Sequence, residues 1–115
     1  MSLRRIGTST RWSDIVIHDR TMYVVEVPAD ITGDITAQTR EVLASLEDSL
    51  SQAGSSKQHL LMVTIFLTDI RDLEAFNAVW DAWVPAGHAP VRACVEARLG
   101  KNGYKVELQV TAAVA

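Results

Sequence analysis

From Val91 to Thr111 apolar and polar residues alternate over a length that no helix would tolerate, which makes the C-terminal third of the chain β-structure. Val91, Ala93, Val95, Ala97 and Leu99 are apolar, with Arg92, Cys94, Glu96 and Arg98 between them. Gly100-Lys101-Asn102-Gly103 then supplies turn chemistry. Beyond it Tyr104, Val106, Leu108 and Val110 alternate with Lys105, Glu107, Gln109 and Thr111. Two strands around such a turn predict a hairpin. With Leu99 opposite Tyr104, Glu96 faces Glu107, Cys94 faces Gln109, and Arg92 shares a face with Glu107. The apolar face then requires helices to cover it, and the other face is rich in charge for a sheet.

The helices are also legible. Gly33-Asp34 precedes Ile35, Val42, Leu43, Leu46 and Leu50, one stripe at helical spacing, with Asp34 or Thr36 as the cap and Gly54 as the stop. A second stripe, Leu73, Phe76, Trp80, Trp83 and Val84, follows the acids Asp69 and Asp72 and ends at Pro85 and Gly87. Ile15–Ile17 and Met22–Val27, around the polar His18-Asp19-Arg20-Thr21, predict an earlier hairpin. The near-continuous apolar run 60–67 predicts a central strand covered on both faces. Hairpin, helix, strand, helix and hairpin make residues 1–115 a single α+β domain, a two-layer sandwich.

Composition narrows the function. Fourteen acids against eleven Lys and Arg give a formal charge of −3, which argues against a nucleic-acid footprint. The apolar run Leu60-Leu61-Met62-Val63 falls far below a membrane span, and the basic N-terminus has no apolar run behind it. One cysteine fits a reducing, cytoplasmic setting. His18, His59 and His88 lack metal-ligand spacing, so neither a metal nor a cofactor is expected.

Among the charged strand residues, Arg92 is the candidate clamp for a carboxylate, because a guanidinium on a strand can grip both carboxylate oxygens. Glu107 is the candidate for orienting or deprotonating a water. Each has a plain alternative as a structural ion pair. Cys94, between Ala93 and Val95, reads as a wall residue more readily than as a nucleophile. Asn77 sits beside the Trp80/Trp83 stripe, where a local hydrogen bond or a solvated position accounts for it.

The segments Arg11-Trp12-Ser13-Asp14, Gln38-Thr39, Val63-Thr64-Ile65-Phe66-Leu67-Thr68-Asp69, Phe76-Asn77, Ala89-Pro90-Val91-Arg92-Ala93-Cys94-Val95 and Val106-Glu107-Leu108 together resemble the RidA/YjgF family of reactive-intermediate deaminases. Members also carry RutC-like, translation-inhibitor and L-PSP endoribonuclease labels. Trp80-Asp81-Ala82-Trp83-Val84 and Gly87-His88-Ala89-Pro90-Val91-Arg92 resemble its YoaB-type branch. The resemblance implies a chorismate-mutase-like fold, a mixed sheet with two helices on one face, assembled as a homotrimer with clefts between subunits. It implies hydrolysis of small enamine and imine acids, such as 2-aminoacrylate and 2-iminopropanoate or 2-iminobutanoate, to 2-keto acids and ammonia.

By position, the resemblance makes Arg92 the carboxylate binder, Glu107 the residue that positions the water, Cys94 a wall residue and Asn77 a support of the cleft. Trp12, Val25 and Glu26 are further lining candidates. Where many family members have Ser-Gly-Gln, this chain has Val24-Val25-Glu26, which changes the lining near the substrate amine. The partners implied are a small carboxylate substrate and two further copies of the chain, with no nucleic acid and no membrane. The alternatives are a protein that holds small carboxylates without turning them over and, least favoured, a ribonuclease.

Overall fold

Asp34 starts α1 (Ile35–Gln52) as expected, its carboxylate accepting a hydrogen bond from the Ala37 amide at 2.9 Å. The stripe Ile35, Val42, Leu43, Leu46 and Leu50 is buried. Gly54 follows the C-cap at φ +78°, a conformation that glycine adopts without strain. In this computed structural model, which describes residues 2–115, α1 and α2 (Leu73–Trp83) pack together over one face of a six-stranded sheet. Phe76 and Trp80 of α2 meet Leu43, Leu46, Val63, Ile65 and Leu108 in one core. Each such fully buried side chain contributes about 1.5–3 kcal/mol relative to exposure.

The strands are β1 (Leu3–Ile6), β2 (Ile15–His18), β3 (Thr21–Glu26), β4 (Leu60–Leu67), β5 (Val91–Glu96) and β6 (Val106–Ala113), ordered β1-β2-β3-β6-β4-β5 in the sheet. The β2–β3 hairpin forms where the sequence places it, with Ile15 opposite Val24 and His18 opposite Thr21. β1 has no counterpart in the sequence reading. Leu-Arg-Arg-Ile is short and mostly exposed, and pairing with β2 is what makes it a strand.

The C-terminal hairpin does not form. β6 inserts between β3 and β4, antiparallel to both, while β5 lies parallel to β4 on its far side. Glu96 therefore sits beside Leu67, Cys94 beside Ile65, Glu107 beside Phe66 and Gln109 beside Thr64. Alternation records which residues share a face; it does not record which strand lies alongside. Inserting β6 gives β4 hydrogen-bonded neighbours on both edges and places Val106, Leu108, Val110 and Ala112 beneath the helices.

The face of β5 is also the reverse of the expectation. Arg92, level with buried Val63, points to the helix side, and Val91, Ala93 and Val95 point away from it. Across β3, β6, β4 and β5 the helix-free face carries Tyr23, Val25, Met62, Thr64, Val91 and Val95, and its one formal strand charge is Glu107. It is a face of apolar and neutral polar residues, Gln109 and Thr111 among the latter, with a single carboxylate, not the charged face expected. β4 is central but covered by its own chain on one side only, and Met62 remains 44% exposed. No helix among the described residues is long and apolar enough to cross a membrane.

Candidate functional site

Pro90 leads into β5, and the pleat then turns Arg92 towards α2. There Nη2 donates to Asn77 Oδ1 at 2.6 Å, and the guanidinium lies 5.7 Å from the Phe76 ring centroid and 5.5 Å from that of Trp80. One hydrogen bond and two aromatic faces thus fix the guanidinium without any carboxylate within ion-pair distance among the described residues. Its remaining N–H groups keep their capacity for an anion, and no ion pair of Arg92 forms among the described residues. Asn77, one helical step from Phe76, orients the arginine; its carbonyl oxygen leaves the positive charge intact.

Cys94 follows on the same side of β5, half-buried. Burial pushes its pKa above the ordinary 9.0, against the lowering influence of Arg92 and a backbone hydrogen bond from Val95. A thiol held protonated is a poor nucleophile, which agrees with a wall residue.

Glu107 is half-buried on the opposite face of the sheet. β4 separates its strand from β5, and its register lies three residues along from that of Arg92. At ~4.8 Å between strands and ~3.3 Å per residue, the two Cα atoms are about 14 Å apart. Within one chain, then, Arg92 and Glu107 neither share a face nor meet.

Trp12, Val25 and Glu26 do come together. With Ser13, Asp14 and Tyr104 they line a cavity of about 530 Å³ at the end of the sheet where β6 begins, the end that carries Glu107. Trp12 is 63% exposed, and its indole Nε1 donates to Asp14 at 3.4 Å. Glu26 turns towards α1 and accepts from Ser49 Oγ at 2.7 Å. Its pKa is raised above 4.5, chiefly by burial, with Ser49 opposing and the charges of Asp14 and Asp48 adding.

The aromatic bed under Arg92 and the presence of Tyr104 in the cavity of Trp12, Val25 and Glu26 were not anticipated. Phe76 and Trp80, four residues apart on a helix, signalled only core packing, and Tyr104 signalled only a strand. Among the described residues no cluster of three or more His, Cys, Asp or Glu side chains is arranged to hold a metal ion.

Comparison with known proteins agrees with this architecture. The family model described as Endoribonuclease L-PSP matches residues 2–114. The RutC family protein YoaB of Escherichia coli K12 is 47% identical over 114 residues, covering 99% of this chain and 100% of its own. A crystal structure of a member of the YjgF protein family from Neisseria meningitidis superimposes with a TM-score of 0.94 at 41% identity, covering 100% of this chain and 97% of that one. An uncharacterized protein from Pseudomonas aeruginosa reaches a TM-score of 0.96 at 36% identity, covering 99% of this chain and 100% of that one.

Proposed function

The chain belongs to the RidA/YjgF family, in its YoaB-type branch, and on that premise we propose that it hydrolyses small 2-imino and enamine acids to 2-keto acids and ammonia. The observation that carries the reading is Arg92, immobilised by Asn77, Phe76 and Trp80 yet with no carboxylate at ion-pair distance among the described residues. That is the state of a clamp awaiting a carboxylate.

The clamp and the water-positioning residue lie on opposite faces, so the reaction centre is assembled from two copies. One contributes Arg92, Asn77 and Cys94; the other contributes Glu107 with the cavity of Trp12, Val25 and Tyr104. The exposed Tyr23, Val25, Met62, Val91 and Val95 supply apolar area for that association, which we take to be a homotrimer. Alternation on both faces of β5 fits the same picture, since its outer residues are buried only against another copy.

In this site the carboxylate of the planar substrate pairs with Arg92 and leaves C2 facing a water that Glu107 holds. Glu107 accepts a proton as the water oxygen bonds to C2 of the protonated imine, and the C=N π pair moves onto nitrogen as its lone pair. Glu107 returns that proton to the nitrogen of the resulting carbinolamine, and the C–N bond breaks with its electron pair leaving on ammonia. The hydroxyl gives its proton to the Glu107 carboxylate as its oxygen becomes the keto oxygen. Positioning accounts for most of the effect, because the imine is already electrophilic.

The test generates imino acids in situ with an amino-acid oxidase and follows keto acid and ammonia. Arg92→Ala removes two charge-assisted hydrogen bonds, and kcat/KM should fall about a hundredfold or more. An unchanged kcat/KM would sink the assignment. Light scattering should give three times 12.6 kDa, and a monodisperse monomer would remove the two-copy site.

Val24-Val25-Glu26 favours a second reading, carboxylate binding without turnover. Val25 brings no polar group to the cavity, and Glu26 is engaged by Ser49. Calorimetric binding of 2-oxobutanoate with no acceleration of imine hydrolysis would select it. The ribonuclease label finds little support in a chain of formal charge −3.

A further inference from the structure

The nine residues between β5 and β6, which the alternation suggested as strand ends and a turn, form a loop that passes the end of β4. A cavity of about 460 Å³ opens there, bounded by Thr68, Arg98, Lys101, Asn102 and Lys105. Three of the eleven Lys and Arg residues of an acidic chain therefore ring one cavity. The ion pairs among the described residues are His18–Asp19, Lys57–Glu47 and Arg71–Asp69, so none of the three cations is neutralised by a carboxylate at ion-pair distance. Asp69 is the acid close enough to sense Lys105, and it is already gripped by Arg71 through Nε and Nη2 at 2.7–3.1 Å. That guanidinium holds its carboxyl down at about 2.

The loop is also held in place. Gln38, only 1% exposed, donates to the Gly103 carbonyl at 3.0 Å and accepts from the Lys105 amide at 2.8 Å. The Thr68 amide donates to the Lys105 carbonyl at 3.2 Å, and the Tyr104 amide to that of Lys101 at 3.2 Å. Gly103 adopts φ +103°, and a Cβ there would come within 2.9 Å of Ile31, so the loop fits closely against the segment that leads into α1. Lys101 Nζ lies 5.9 Å from the Tyr104 ring centroid. Like charges brought together on a pinned loop repel one another, and a bound anion relieves that repulsion.

We propose that this cavity binds the phosphate group of a small metabolite. Arg98 offers a two-pronged grip, Lys101 and Lys105 offer point charges, and Thr68 and Asn102 offer neutral donors. At about 460 Å³ the cavity has the volume of a small-molecule site and opens widely to solvent, whereas the acidic chain as a whole repels a long polyanion. It lies at the opposite end of β5 from Arg92, so the inference does not depend on the deaminase reading.

The experiment titrates inorganic phosphate and glycerol 3-phosphate into the full-length protein by calorimetry at constant ionic strength. Saturable binding with Kd of about 1 mM or tighter is expected, weakened about tenfold or more by Arg98→Ala and by Lys105→Ala. Phosphate should also raise Tm in the wild type and not in these variants, a readout that does not need them to be as stable as the parent. Arg5→Ala, on exposed β1, should bind as the wild type does. No saturable binding of either compound up to about 10 mM, or equal weakening by Arg5→Ala, would overturn the site. Binding of a single-stranded RNA oligonucleotide without binding of either phosphate compound would overturn it too.

Discussion

Gln38 and Thr39 are adjacent on α1 and both buried, yet they should respond in opposite directions to removal of their polar atoms. Gln38 makes three hydrogen bonds, to the Gly33 and Gly103 carbonyls and from the Lys105 amide. Gln38→Leu keeps the bulk and removes all three. At about 1 kcal/mol net for each, the loss is about 3 kcal/mol. For a domain of this length 1 kcal/mol corresponds to about 4 °C, so Tm should fall by about 12 °C. Thr39 is fully buried, and its Oγ1 has no hydrogen-bond partner among the described residues. Thr39→Val has nearly the same shape and removes an unsatisfied hydroxyl, so stability should rise by about 1 kcal/mol, or about 4 °C. The assay is thermal unfolding by circular dichroism at one protein concentration, because assembly makes Tm depend on concentration. A loss of less than about 4 °C in Gln38→Leu would refute the view that this side chain holds the β5–β6 loop to α1. A loss in Thr39→Val would show that its hydroxyl is satisfied after all.

Two further outcomes follow from the ionisable groups. Glu26 has its folded pKa raised above 4.5, so its ionisation opposes folding as pH rises from 4.5 through the higher folded value. Glu26→Gln should therefore unfold at a higher temperature than the wild type at pH 7, and the gap should close as pH falls below 4.5; a gap that widens in acid contradicts the burial argument. Cys94, with its pKa raised above 9.0, should react slowly with iodoacetamide at pH 7 and faster only at alkaline pH, and Cys94→Ala should retain imine hydrolysis within a few-fold; rapid alkylation at neutral pH would mean a thiolate.

The apolar stripes of α1 and α2, the Asp34 cap, the β2–β3 hairpin and the run that becomes β4 were all legible, since each rests on spacing within a short stretch of chain. Arg92 and Glu107 were legible as candidates, and Trp12, Val25 and Glu26 as neighbours of a cleft. Their arrangement was not. The alternation 91–111 reads the same whether the two strands pair with each other or flank a third. It also cannot say whether Val91, Ala93 and Val95 turn to the helices or to another copy of the chain. Asn77 looked like a residue with a local hydrogen bond because its partner lies fifteen residues away, on β5.

By itself the sequence determined the two helices, every strand but β1, the family resemblance and the residue types able to hold a carboxylate and a water, because periodicity and caps act over a few residues. Only the tertiary structure decided that β6 lies between β3 and β4, and that Arg92 rests on Phe76 and Trp80 on the face away from Glu107. Only it brought Arg98, Lys101 and Lys105 around one cavity. Strand order is set by which pairings satisfy both edges of β4 and bury the most apolar surface at once. That condition spans the whole chain, and no local pattern records it.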